Sequence, residues 1–189
     1  MIDLVGARQG HFRLESGLHS RLWLDLDALF ADAGRIEPFV LQLSEAIRPY
    51  DVSLVCGPLL GGAFLAQLLA RKLGVEFCYA EQRPPAESAG LFQARYVIPP
   101  ALARRVSGRR VALVDDVMSA GSALRSAYAE LGTHGGTCVV AGALLVLGSI
   151  GANHFVRQGV PVETVFRQDF ESWEPERCPL CAAGVALEG

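Results

Sequence analysis

The amino-acid sequence predicts an α/β fold, a mostly parallel twisted sheet flanked by helices, preceded by a small N-terminal segment. Three observations carry this. Apolar runs alternate with helically spaced patterns through most of the chain, as strand–helix repeats of a parallel sheet do. The run "CVVAGALLVLG", Cys138 to Gly148, is continuous rather than alternating, as expected of a strand covered on both faces. Short loops rich in glycine, serine and acids follow the apolar runs. Open parallel sheets bind ligands beyond the carboxyl ends of their strands.

The elements follow in order. "HFRLESGLHSRLWLDL" reads as two extended runs around the turn pair Ser16-Gly17. Ile36, Phe39, Val40, Leu43 and Ile47 recur at helical spacing, which predicts an amphipathic helix over roughly Arg35 to Arg48. "VSLVC" is a buried strand running into "GPLLGG", and "AFLAQLLARKL" is a helix. "VEFCYAE" is a strand, and "QRPPAESAG" a loop rich in proline and small residues. "VALV" is a strand and "SALRSAYAELG" a helix closed by glycine. "CVVAGALLVL" and "VETVF" are the last strands. On this topology "CGPLLGG", "AEQR", "DDVMSAGSA" and "LGSIG" share one rim, far apart in sequence and close in space.

A length of 189 residues suits a single domain with a buried core. A net charge of −3 favours neither a nucleic-acid nor a membrane-surface partner. The longest apolar run is too short to cross a bilayer, and "MIDLVGARQGHF" lacks the apolar core of a signal peptide. Five cysteines at scattered spacing suggest no disulfide framework. A cytoplasmic protein is expected.

The stretch "VALVDDVMSAGSAL" is the most informative. Ser119, Ala120, Gly121, Ser122 and Ala123 are small enough for backbone N–H groups to approach an anion. The following helix adds its own N-terminal donors, so the loop makes a cradle for one phosphate. No G-K-[ST] ending is present, so this is not the triphosphate-binding P-loop. Asp115 and Asp116 can only accept hydrogen bonds when ionised. Their natural partners are sugar hydroxyls or hydrated magnesium. Acids beside a phosphate cradle fit a ribose 5-phosphate; the alternative is that the acids merely end a strand and cap a helix.

Four apolar residues, two acids, two apolar residues and a Ser/Gly loop resemble the ribose-phosphate signature of the type I phosphoribosyltransferases. "CGPLLGGAFLA" is similar to that family's pyrophosphate loop. "GHFRLESGLHS", Gly10 to Ser20, resembles the N-terminal hood of its orotate phosphoribosyltransferase branch, and "CPLCAAGVALE" resembles the C-P-x-C ending of some members. The resemblance implies a single domain over residues 1–189, with a hood at 1–34, a core sheet at 35–170 and a CPLC tail at 171–189. It implies transfer of ribose 5-phosphate from phosphoribosyl pyrophosphate (PRPP), with magnesium, to a nitrogenous base, as in pyrimidine nucleotide synthesis. It also implies a homodimer. By the same resemblance Asp115 and Asp116 hold the ribose hydroxyls, Ser119 to Ala123 the 5-phosphate, and Leu60, Gly61 and Gly62 the pyrophosphate. Arg83 and Arg95 are the cations available to cover the leaving group, and Phe12, Glu15 and Ser149 lie near the base.

Departures from the orotate branch are concentrated at the base and the lid. Glu15 stands where many orotate enzymes carry a basic residue, and Ser149 is nearest the position of an arginine that can pair with the orotate carboxylate. An acid and a hydroxyl in place of two cations remove bidentate recognition of an anion and add repulsion. The lid segment "EQRPPAESAGLFQARY", Glu81 to Tyr96, has no lysine. Arginine stabilises leaving-group charge but is too basic to donate a proton. The acceptor is then orotate or another small base, and a glutamate there suits a base presenting N–H donors rather than a carboxylate. A non-catalytic PRPP- or nucleotide-binding regulator remains the alternative. A receiver-like anion-binding protein is disfavoured, because no lysine follows Lys72.

Cys178 and Cys181 in "CPLC" have the spacing of half a zinc knuckle, and a structural zinc needs four ligands. A second subunit could supply the other pair, or a histidine such as His154 could complete the site. A reducible cysteine pair and a plain turn are the other readings. Cys56, Cys78 and Cys138 fall in predicted strands and read as buried apolar residues. His11 and His19 lie in the hood, either touching a ligand or serving as satisfied turn residues.

Overall fold

The computed structural model describes residues 6–25, 27–84 and 94–188. A two-stranded antiparallel hairpin, β1 (Gly6–Arg13) and β2 (His19–Asp25), opens the chain. Its turn passes through Gly17, whose φ of 83° is a conformation that glycine adopts without penalty. Two helices follow, α1 (Asp27–Phe30) and α2 (Ala33–Ile47). Asp32 caps α2 by accepting from the amides of Gly34 at 2.9 Å and Arg35 at 3.3 Å. The predicted apolar stripe is the buried face, with Ile36, Val40, Leu43 and Ile47 inside.

The remainder is a six-stranded sheet in the order β5-β4-β3-β6-β7-β8. Its strands are β3 (Leu54–Pro58), β4 (Glu76–Arg83), β5 (Arg95–Val97), β6 (Arg110–Met118), β7 (Thr137–Leu147) and β8 (Val162–Gln168). All pair in parallel except β5, which returns antiparallel along the edge of β4. The intervening helices are α3 (Gly61–Leu73), α4 (Pro100–Val106), α5 (Ser122–Thr133) and α6 (Ile150–Arg157), and α7 (Pro179–Ala182) lies in the tail. Helices cover both faces, as the sequence predicts. One core gathers Leu113, Leu124, Leu131 and Phe155; the other gathers Leu43, Ile47, Leu65 and Leu69. The continuous run at Cys138 to Gly148 is β7, buried from Val140 to Leu147 between two parallel neighbours.

Three readings of the sequence are corrected. The segment taken as a loop from Gln82 begins as strand: Gln82 and Arg83 belong to β4, and Arg83 faces Arg95 across the β4–β5 ladder. Antiparallel pairing over three residues has no length of periodic pattern to announce it. The rest of the expected lid, residues 85–93, lies outside the described residues. The acids are not beyond the strand tip either. Eleven-residue β7 offers ladder partners as far as Met118↔Val146, so β6 runs on through both aspartates. Finally, "GSIG" is not an open loop, because α6 starts at Ile150 and makes Ser149 its N-cap.

The turn from β3 to α3 is tight. A Cβ built on Gly57 would overlap the carbonyl oxygen of Gly62. Neither group can rotate away, since both are backbone. Gly57→Ala should therefore cost about 2–3 kcal/mol, read as a lowered urea midpoint with an unchanged m-value. Unchanged stability would show that the turn has slack.

Candidate active site

The carboxyl ends of β3 and β6 deliver the two signature loops to one cleft of about 300 Å³. Leu60, Gly61, Asp115, Asp116, Ser119 and Ala123 line it from the sheet side, and Glu15, Trp23 and Tyr96 from above. Smaller and adjoining, a cradle of about 60 Å³ is lined by Ser119 to Ala123 together with Glu15 and Asp115.

The cradle is built from backbone. Gly121 caps α5 with φ 75°, and the first helical bond runs from the Arg125 amide to the Gly121 carbonyl at 2.8 Å. The amides of Ser122, Ala123 and Leu124 thus precede the helical ladder, as N-terminal donors do. Ser122 Oγ is buried and, among the described residues, has no hydrogen-bond partner. A buried hydroxyl without a partner is costly, and here it belongs to a concave, donor-lined pocket. The start of α6 buttresses the loop: the Gly151 amide donates to Ser119 O at 2.9 Å, and Arg125 Nη2 donates to Ile150 O at 3.2 Å.

Across the cleft, Gly61 and Gly62 open α3, ahead of its first bond from the Phe64 amide to Leu60 O at 3.1 Å. The Leu59–Leu60 peptide is cis. Side chains at these glycines would strike the aspartates. A Cβ at Gly61 would overlap Asp116 Oδ2, and one at Gly62 would stand 2.7 Å from Asp115 Oδ1. Glycine here lets the loop backbone close directly over the carboxylates.

This local architecture recurs in known proteins. A family model described as "Phosphoribosyl transferase domain" matches residues 33–158, more than half of the chain. The chain belongs to the phosphoribosyltransferase family. Among curated relatives, orotate phosphoribosyltransferase of Caldanaerobacter subterraneus subsp. tengcongensis is 31% identical over 95% of this chain and 87% of its own length. That of Carboxydothermus hydrogenoformans is 34% identical over 95% and 87%. Among solved structures, orotate phosphoribosyltransferase from Aeropyrum pernix superposes with a TM-score of 0.66 at 24% identity, covering 87% of this chain and 88% of that one. Giardia lamblia APRTase complexed with 9-deazaadenine superposes at 0.70 with 16% identity, covering 88% and 94%. The fold is that of the family, and the chain is a phosphoribosyltransferase of the glycosyltransferase class.

Within this phosphoribosyltransferase, the expected site residues divide by position. Glu15, Leu60, Gly61, Asp115, Asp116 and Ser119 to Ala123 converge, and Gly62 lies directly beneath Asp115. Phe12 is buried behind Trp23, with ring centroids 6.0 Å apart. Ser149 faces a second, larger cleft that shares Ser119, Leu147 and Phe170 with the first; α6 turns it there. Arg83 is ion-paired with Glu81 at 2.7 Å, and it and Arg95 stand on the stem of the β4–β5 hairpin rather than in the cleft. Cys178 and Cys181 lie outside the cleft beside His11 and His19. His154 sits on α6, edge-on to Phe155, and is not part of that group.

Sequence reading missed the partners of Glu15. Glu15 Oε1 accepts from Tyr96 Oη at 2.8 Å and from Gln82 Nε2 at 3.0 Å. Among the described residues neither bond falls on Oε2. Gln82 and Tyr96 face each other in the β4–β5 ladder, so the edge hairpin holds the acid as a unit. No local signal marks either residue, because the pairing joins positions 67 and 81 residues away. Burial pushes the Glu15 carboxyl up, partly opposed by the Tyr96 hydrogen bond. Burial also raises Asp115 well above the carboxylate range, reinforced by the Asp116 charge, a shared side-chain hydrogen bond and the Glu15 charge.

Two expectations follow from these groups. Ser122→Ala should leave the fold as stable as before or slightly more so, while weakening inorganic phosphate binding about tenfold; equal phosphate affinity in calorimetry would remove Ser122 from the cradle. Because the folded-state value of Asp115 is raised, the folded protein holds a proton that the unfolded chain releases. Its stabilising contribution is complete below the ordinary carboxylate value and is lost as pH rises through the raised one. Ligand- and metal-free protein should therefore lose stability from about pH 4 towards neutrality, and Asp115→Asn should flatten that loss in chemical denaturation.

Proposed function

We propose that this phosphoribosyltransferase moves ribose 5-phosphate from PRPP to a small nitrogenous base that presents ring N–H donors, rather than to orotate. The observation that carries this is Glu15: a carboxylate in the cleft, clamped through Oε1, with Oε2 left for the ligand. Such a group recognises an N–H and repels a carboxylate.

On this reading Asp115 and Asp116 accept from the ribose hydroxyls. The amides of Ser122 to Leu124, with the Ser119 and Ser122 hydroxyls, hold the 5-phosphate. Gly61 and Gly62 amides meet the pyrophosphate, and Arg83 and Arg95 are the cations assigned to its charge. Two carboxyl groups in one cleft, Asp115 and Asp116, offer hard-oxygen donors that suit a magnesium-bound substrate. When bound with PRPP, magnesium supplies neutralisation of the leaving-group charge. The bond from ribose C1 to the pyrophosphate oxygen breaks as the base nitrogen bonds to C1. Positive charge develops on the ribose, and the adjacent aspartates stabilise it electrostatically. Glu15 fixes the base so that its nucleophilic nitrogen faces C1. The lysine-free lid makes a PRPP-binding protein without turnover the competing reading.

A panel assay separates these. With PRPP, magnesium and purified bases, pyrophosphate release should be at least about 100-fold faster per unit of kcat/KM with a neutral N–H-bearing base than with orotate. Glu15→Gln should lower that preferred kcat/KM about 100-fold. Tight orotate binding in calorimetry with pyrophosphate present would refute the base assignment. PRPP binding without turnover of any base would favour the regulator.

A further inference from the structure

We propose that the protein carries a structural zinc site of its own, made by His11, His19, Cys178 and Cys181, that locks the hood hairpin to the C-terminal tail. The site stands independently of the base assigned above.

Four side chains from three elements converge here. His11 lies on β1, His19 begins β2, and the two cysteines bracket the first turn of α7. Their ligand atoms all lie within 4.8 Å of one another. His11 Nε2 is 3.0 Å from His19 Nδ1, 3.5 Å from Cys178 Sγ and 3.7 Å from Cys181 Sγ; His19 Nδ1 is 3.3 Å from Cys181 Sγ. Zinc–nitrogen and zinc–sulfur bonds of about 2.0 and 2.3 Å put tetrahedral edges at roughly 3.3 to 3.8 Å. Four of the six edges lie near these lengths, and the other two do not exceed 4.8 Å.

The surroundings favour a metal over a chance cluster. His11 Nδ1 lies 2.7 Å from the Val185 carbonyl oxygen. Only a protonated Nδ1 can bond there, which leaves Nε2 with its lone pair facing the cluster, the outer-shell arrangement of a metal-binding histidine. His11, His19 and Cys178 are buried, so water does not compete for three of the four ligands. The chemistry is soft sulfur with imidazole, which selects zinc over magnesium or calcium. Both thiols would release their protons to solvent on binding, and no cysteine is disulfide-bonded.

The hairpin and tail also need such a link. Neither hydrophobic core includes a residue of Gly6–Asp25 or of the chain after Gln168. Their union includes short backbone pairings, His19 with Trp173 in both directions at 2.8 and 2.9 Å and the Glu188 amide to His11 O at 2.7 Å, and surface side-chain contacts such as Arg8 with Glu188 and Arg21 over Trp173. Small units without a core of their own are commonly held by a metal. His11 and His19 lie four residues on either side of Glu15, so an ion joining them fixes both ends of the turn that aims this acid.

Elemental analysis of full-length protein, purified reduced and without added metal, should find about one zinc per chain. After chelation, cobalt titration of the wild-type protein should restore one equivalent, with the strong visible absorption of a tetrahedral thiolate site. Hydrogen exchange in residues 6–25 and 173–188 should quicken on chelation and slow again on reloading. Cys178→Ser and His19→Ala should lose stoichiometric metal, while His154→Ala retains it. Failure of the reduced wild-type chain to bind cobalt or zinc would overturn the proposal. So would a cobalt spectrum without thiolate character, or a Cys178–Cys181 disulfide in freshly purified protein. The wild-type measurements decide the question even where a variant does not fold.

Discussion

Two carboxyl groups, Asp115 and Asp116, sit side by side at the carboxyl end of the central strand β6. Much of the neighbouring structure is shaped by that fact. The β3–α3 turn closes over them so tightly that Gly57, Gly61 and Gly62 have no room for a side chain. Burial and mutual repulsion keep Asp115 inclined to hold its proton. A site arranged this way is held in readiness: its fold-level cost is recovered when a ligand rich in hydroxyls and counter-charge arrives. Strand pairing supplies the rigidity. β6 continues along β7 past both acids, so they are anchored by the sheet rather than carried on a mobile tip.

How much of this could be read from the sequence depended on how locally each feature is encoded. The sheet, α2, α3, α5 and the two phosphate-type loops were legible, since apolar periodicity and small-residue turns are contiguous signals. Both aspartates could be singled out for the same reason, and Glu15 by its place in a stretch that resembles the orotate branch. Tyr96 and Gln82 could not, because only the antiparallel return of β5 brings them to Glu15, and a three-residue strand leaves no periodic trace. Helix α6 was hidden by its glycine at position 151 and its eight-residue length, and with it went the placement of Ser149. Half of the His/Cys cluster was visible as "CPLC". The other half comes from the opposite end of the chain, 162 to 170 residues away, beyond any spacing rule.

On the proposed reading, ribose-phosphate and base recognition are built from different parts of the molecule. The former belongs to the sheet and its loops, framed by two well-packed cores. The latter belongs to a hairpin, an edge strand and a tail joined by few backbone bonds. Such a division lets the base end change without disturbing the phosphate end, which is consistent with an acid standing where many orotate enzymes carry a cation.

The meeting of hood and tail has a further consequence, for biosynthesis. The hairpin emerges from the ribosome early, yet Trp173 and Glu188, which pair with it, emerge about 150 and 180 residues after their partners. Translation proceeds at roughly 5–20 residues per second, so the hairpin waits on the order of ten seconds for its partner. Meanwhile the core sheet can assemble. On the proposed assignments, the nascent chain thus completes the sheet that holds a sugar phosphate before the surface that chooses a base.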